Sequence, residues 1–277
     1  MMHKMRILIL TAGLGNQIFE YAVFLYFKRK YPKDRLYVYY YKDAFDEHNG
    51  YLEVTRHFDA ELPQSPFWVK YWVYAFNLFR KYTGCKRWDD HVESIIPNEN
   101  LPLLYAYRNN KKYIPEDRNW IRFKKPQLSV LNRELLSAIE TSDSVFLHVR
   151  RGDYLSSKYS NKFAGVCSLS YYKKAVSIML ERHPRAVFFV FSDDMVWAKA
   201  HLRAFLSNAQ YVDWNTGSNS YLDMYLMAHC KAGIMANSTF SFWGAKLCQK
   251  KDVVYPKKWT NTDESPDIFE DDWLGIE

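Results

Sequence analysis

The chain has 277 residues with 38 basic and 31 acidic side chains, a formal charge of +7, and 48% hydrophobic and 18% aromatic content. That composition excludes a disordered or collagen-like polypeptide, and the length suits two modest domains or one large one. Four cysteines, Cys85, Cys167, Cys230 and Cys248, form no C-x-x-C pair, which argues against a disulfide framework or zinc knuckle and for a reducing compartment.

In chain order, the first apolar run ends near Leu10, where Thr11-Ala12-Gly13-Leu14-Gly15-Asn16 breaks it. It is too short for a signal sequence with its cleavage site or for a spanning helix, and reads as a buried strand. No window offers ~18 uninterrupted apolar residues, so a soluble or peripheral, cytoplasmic protein is expected. Continuous apolar runs at 6–10, 145–149, 187–191, 233–236 and 253–255 suit strands buried on both faces. Helical stretches at 16–30, 170–181, 220–231 and 238–250 alternate with them. This pattern occurs twice and predicts an α/β fold of two doubly wound domains, 1–141 and 142–277, separated by a polar, weakly periodic stretch.

Residues 62–88 stand apart, with no acidic residue, five basic ones (Lys70, Arg80, Lys81, Lys86, Arg87) and nine aromatics. Trp68, Trp72, Phe76 and Phe79 fall on one helical face. Two readings stand: a helix packed on its own domain, or a peripheral contact with the cytoplasmic face of the inner membrane through 67–82.

Polar or charged clusters follow the predicted strands: Gly13-Leu14-Gly15-Asn16-Gln17, His148-Val149-Arg150-Arg151-Gly152-Asp153, Ser192-Asp193-Asp194 and Asn237-Ser238-Thr239. Ligands of open α/β sheets sit outside the carboxyl ends of strands, so the second half is expected to hold the main ligand site. Arg150 and Arg151 offer planar two-point donors for a diphosphate, and Ser238-Thr239 opens a helix whose N-terminus favours an anion. Asp193 or Asp194 can accept from the N1–H and exocyclic amine of guanine. Each cluster also has a structural reading: Arg150 pairing with Asp153, Ser192 or Asp193 capping the next helix, and Asn237 or Ser238 as a plain N-cap.

Other nucleotide chemistries fit less well. There is no G-x-x-x-x-G-K-[ST], Ile18 replaces the third glycine of G-x-G-x-x-G, and neither H-x-x-x-H nor D-x-D occurs. Arginine, rather than a metal, is therefore expected to neutralise a leaving diphosphate, with no cofactor.

At GLGNQIFEYA (13–22), HVRRGDY (148–154), FSDDMVW (191–197), YLDMYLMAHCKAGIMANSTFSFWGAKL (221–247) and YPKKW (255–259), the sequence resembles the α-1,2-fucosyltransferases of glycosyltransferase family 11. The resemblance implies two Rossmann-like domains facing across a cleft (GT-B-like). It also implies GDP-fucose as donor, a galactose-containing glycan as acceptor, inversion at the anomeric carbon and no metal. By the same resemblance, Arg150 binds the β-phosphate, His148 and Asp193 or Asp194 lie at the nucleoside, and Arg151, Asn237, Ser238 and Thr239 belong to the donor site. Asn16 faces the fucose and acceptor, with Gln17 and Tyr154 on the acceptor side.

Asp153, beside the arginines, is the nearest candidate for general base. Where the family carries a motif like GYWQSEKYF this chain has AYRNNKKYI (106–114), and Phe242 replaces a usual Trp. Asp223, with Ser220, reads as a capping box. Met224, Leu226 and Met227 read as core, and Trp243, Trp259 and Trp273 as either packing or site-lining. An enzyme of other regiochemistry, such as α-1,6, is the nearest rival. A basic, aromatic nucleic-acid-binding protein is a rival of another class, but it leaves the strand-end clusters unexplained, and nucleic acid is not expected as a partner.

Overall fold

The computed structural model describes residues 4–40, 52–83, 103–105, 110–247, 252–262 and 266–277. The chain divides into two compact units, Met1–Lys124 and Lys125–Glu277. Each is built on a parallel sheet with helical connections.

In the first unit, β1 (Met5–Leu10) is buried from Ile7 to Leu10. It runs parallel to both neighbours, β2 (Arg35–Tyr40) and β3 (Leu103–Tyr105), in the order β2-β1-β3. The intervening helix α1 (Leu14–Lys30) is buried around most of its circumference and ends on Lys28, Arg29 and Lys30, which suit the negative end of its dipole. A short α2 (Glu53–His57) precedes α3 (Trp68–Thr83). Val69 and Val73 of α3 pack on Ile7 and Ile9, with Trp68, Trp72 and Phe76 alongside. The own-domain packing read from the sequence is therefore present, except at Phe79, which is exposed.

The second unit begins with α4 (Val130–Thr141), capped by the Ser129 hydroxyl. There follow β4 (Asp143–Val149), α5 (Ser160–Phe163), α6 (Leu169–Arg182), β5 (Ala186–Ser192), α7 (Met195–Leu202) and β6 (Ala209–Val212). The remainder is α8 (Tyr221–His229), β7 (Ala232–Ile234), α9 (Thr239–Lys246), β8 (Asp252–Pro256) and β9 (Leu274–Ile276). All six strands are parallel, in the order β6-β5-β4-β7-β8-β9. Met224, Leu226 and Met227 are core residues, and Trp243, Trp259 and Trp273 are buried. At the centre, Gly233 of β7 lies under the Phe146 ring of β4, where a Cβ would come within 2.0 Å of a ring carbon. Any side chain there would displace the buried ring.

The division between units falls before α4, earlier than the 141/142 boundary expected from sequence. The reason is a buried amide network. Asn132 donates from Nδ2 to Asn215 Oδ1 (2.8 Å) and accepts from Trp214 Nε1 (2.7 Å), while Asn215 Nδ2 donates to Asp223 Oδ1 (2.8 Å). These contacts tie α4 to the loop after β6 and to α8. The capping box expected at Ser220 does not form, because Ser220 is itself helical and its side chain makes no cap bond.

Burial pushes the Asp223 carboxyl up to about 7, against a smaller opposing pull from Asn215. A carboxyl whose pKa is raised on folding contributes stability below its unfolded value of 3.8, lost as pH rises to about 7. Asp223→Asn keeps the acceptor for Asn215 and removes the ionisation. Relative to the parent, its melting temperature is expected to gain several degrees between about pH 5 and pH 8. Calorimetry checks this, and a pH-independent difference contradicts it.

Among the described residues no helix is long and apolar enough to cross a membrane. Cys167 and Cys230 are free thiols, while Cys85 and Cys248 lie outside the described residues, as do the last positions of the 238–250 helix.

Candidate active site

The order in which strands are added to the second sheet reverses at β4. The connections β4-β5-β6 run to one side of it, and the chain then returns to place β7 on the other. Ligands bind at such a switch point, outside the carboxyl ends of the strands. Here that position is held by the loop after β4 and the start of α9. The two touch directly: Tyr154 Oη donates to the Asn237 carbonyl (2.9 Å), and the His148 ring lies 5.7 Å from that of Phe240.

The parallel register of β4 and β5 pairs His148 with Phe191 and Val149 with Ser192. Carried on by one and two residues, it sets Arg150 opposite Asp193 and Arg151 opposite Asp194. Arg150 Nε approaches Asp153 Oδ1 at 2.9 Å and Asp193 Oδ2 at 3.1 Å, and Arg151 Nε approaches Asp194 Oδ2 at 3.3 Å. Asp193 also accepts the Arg151 N–H (2.8 Å) and the Gly152 N–H (3.1 Å). A Cβ at Gly152 would meet Asp193 Oδ2 at 3.0 Å, so a larger residue there would press on that carboxylate. Burial alone would lower the Arg150 pKa, but Asp193 and Asp153 outweigh it and hold it above its ordinary value.

Both carboxylates read as guanine acceptors are thus engaged by their own chain. Asp194 is the N-cap of α7, accepting from Trp197 N–H (3.0 Å), and Asp193 fastens the arginine loop. The Arg150–Asp153 pairing, the structural alternative, is present. Arg150 nevertheless keeps a usable end. Its ion pairs are closest through Nε, and neither Nη makes a hydrogen bond among the described residues.

His148 is buried and held neutral, its pKa lowered to about 3 by burial and then by Arg150. Its Nδ1 has no hydrogen-bond partner. Asn237 is fully enclosed, donating from Nδ2 to the Trp259 carbonyl (3.0 Å) and accepting from Cys167 Sγ (3.4 Å). Its side chain shapes the loop. Ser238 caps α9 through its hydroxyl on the Phe240 N–H (3.2 Å), and Thr239 follows, half-buried, at the first helical position.

In the first unit, Asn16 is half-buried in the opening turn of α1, where its N–H bonds the Gly13 carbonyl (3.0 Å). That turn is strained. Ala12 sits at φ 59, a left-handed conformation costly for a residue with a Cβ. Glu20 of α1 holds it, accepting the Thr11 N–H through both carboxylate oxygens (2.9 Å each) and the Thr11 hydroxyl (3.0 Å). Gln17, expected on the acceptor side, is instead buried: its amide donates to the Ala12 carbonyl (2.8 Å) and accepts from Val54 N–H (3.2 Å). It supports the turn. Tyr154, also expected on the acceptor side, stacks on Phe163 (4.6 Å) and anchors the second unit's two loops to each other.

Two contributors escaped the sequence reading. The Trp197 ring lies 4.2 Å from the Arg151 guanidinium carbon, a cation–π platform, and Tyr172 Oη donates to the His148 carbonyl (3.2 Å). Trp197 was visible as the third residue after the helix cap, but only the register shows what it faces. Of AYRNNKKYI, positions 106–109 lie outside the described residues, and Asn110 caps the short turn Lys111–Tyr113. Phe242 is core, packed against Trp243 and Trp273. Among the described residues no group of three or more His, Cys, Asp or Glu could hold a metal ion.

A family model for glycosyl transferase family 11 matches residues 4–277. An alpha-1,2-colitosyltransferase of Escherichia coli is 31% identical over 97% of this chain and 97% of its own length. The O-antigen biosynthesis glycosyltransferase WbnK of Escherichia coli is 26% identical over 96% and 99%. A galactoside alpha-(1,2)-fucosyltransferase 1 of Saimiri sciureus is 31% identical over 53% of this chain and 43% of its own. With its strand-end arginines and its full-length match, the chain belongs to glycosyl transferase family 11 and is a glycosyltransferase.

Proposed function

We propose that this chain transfers L-fucose from GDP-fucose, with inversion, to the 2-hydroxyl of a terminal galactose-like residue of a glycan. The observation that carries the reading is Arg150, ion-paired most closely through Nε with two carboxylates at the sheet's switch point, with no hydrogen bond from either Nη among the described residues. Those groups suit the β-phosphate, and the α9 N-terminus suits the same diphosphate. The acceptor oxygen forms its bond to the anomeric carbon as the bond from that carbon to the phosphate oxygen breaks. GDP departs with the electron pair, and its growing charge falls on Arg150. The acceptor proton passes to water or a phosphate oxygen, because Asp153 is occupied in holding Arg150. Asn16 orients the fucose or the acceptor.

The α-1,2 linkage and the galactoside rest on the names of the relatives, whereas guanine rests on the family resemblance of the sequence motifs, since Asp193 and Asp194 are engaged elsewhere. One relative is named for colitose, so the donor sugar needs its own arm in the assay. We place the reaction in the cytoplasm, where Cys167 and Cys230 stay reduced.

The test is incubation with GDP-fucose or GDP-colitose and a panel of galactosides, with linkage and anomeric configuration read by NMR. An α-1,2-fucoside is expected, at a rate unchanged by EDTA. Exclusive use of GDP-colitose, a different linkage, or loss on chelation with recovery in Mg²⁺ or Mn²⁺ would each overturn the corresponding part.

A further inference from the structure

Helix α3 carries apolar residues along two opposite faces, and the sheet uses only one. Val69, Val73 and Phe76 face β1 and β2. On the other side Phe67 (82% exposed), Tyr71 (66%), Tyr74 (68%), Leu78 and Tyr82 (83%) follow one another at intervals of three or four residues, with Phe79 (60%) at the margin. That spacing draws a continuous stripe along the helix. At 1.5 Å per residue it runs roughly 22 Å, far more than the scattered single hydrophobes of an ordinary surface.

Charge selects the occupant. Between Glu61 and Asp89 the sequence has no acidic residue, while it carries Lys70, Arg80, Lys81, Lys86 and Arg87, and Lys70 is exposed. A stripe rich in Tyr and Phe, on a stretch of sequence that carries five cations and no acidic residue, suits the headgroup boundary of an anionic bilayer. We propose that α3 docks the enzyme peripherally on an anionic lipid surface, lying in the plane of the interface with this stripe inserted. The proposal stands apart from the transfer chemistry and from the identity of the donor.

The experiment is sedimentation of the full chain with vesicles of phosphatidylcholine alone or mixed with phosphatidylglycerol. Binding is expected to the mixed vesicles, weakening as salt is raised. The combined variant Tyr74→Gln, Phe79→Gln, Tyr82→Gln keeps good helix formers at exposed positions. It is expected to bind at least about tenfold more weakly, with unchanged circular dichroism and unchanged transfer to a soluble acceptor. Failure to bind mixed vesicles, equal binding to both compositions, or undiminished binding of the variant would each overturn the proposal. So would self-association of the parent that the variant abolishes, since the stripe would then be covered by a second copy.

Discussion

Replacing Arg150 with lysine is expected to lower kcat by about 10²–10³-fold while the protein stays folded. The arginine does two things at once: Nε is held between Asp153 and Asp193, and the remaining fork projects beyond them. A lysine ammonium can satisfy the carboxylates or reach for a diphosphate, but its single nitrogen does not span both tasks. Steady-state kinetics with GDP-fucose, beside a circular dichroism spectrum, check the result. If KM rises and kcat stays near that of the parent, Arg150 contributes to donor binding and not to the transition state.

The second large effect is expected at Asp193. Substitution by asparagine leaves one oxygen where two backbone N–H groups and a guanidinium now converge, and turns an NH₂ toward one of those donors. Losing a charge-assisted hydrogen bond costs about 1.5–3 kcal/mol, or roughly 3–12 °C in melting temperature for a unit of this size. Activity is expected to fall with stability, because Arg150 loses one of its two anchors. Preference for GDP over ADP in competition is expected to stay unchanged. A variant that melts normally but no longer distinguishes the two nucleotides would return Asp193 to the base-reading role suggested by its sequence position.

That contrast shows where the sequence was legible and where it was not. Buried central strands announce themselves, and the runs at 145–149 and 187–191 lie within β4 and β5. Edge strands do not. In β2 the run at 36–40 is mostly tyrosine with only Val38 buried, and β6 is four residues long, interrupted by Gln210, with one buried side chain. Helix α4 was hidden in a polar stretch because it buries just Asn132, Leu135 and Ile139, and its principal tie is an amide network with residues about 80 positions away. The strand-end clusters could be listed by residue type, but the partners of each carboxylate depend on inter-strand register. Sequence chemistry gave Asp193 a base to recognise. The register brings Arg150 and two backbone amides onto it. Gln17, placed on the acceptor side by the resemblance, is buried and bonded within the turn, a set of partners that the motif alone does not show.

The pairing around the arginine loop has a consequence for selectivity. Arg150 and Arg151 are outnumbered by Asp153, Asp193 and Asp194, so the loop without a ligand is already neutralised by fixed counter-ions. It behaves as an ion exchanger, admitting an anion only to the extent that the newcomer competes with carboxylates held in place by the fold. A lone phosphate or chloride, arriving one contact at a time, competes poorly. If the proposed donor binds here, a diphosphate that meets the arginine fork and the α9 N-terminus together is expected to compete well, even in a crowded, salty solution. The chain's overall charge of +7 brings anions near, and the local excess of carboxylates decides which of them stay.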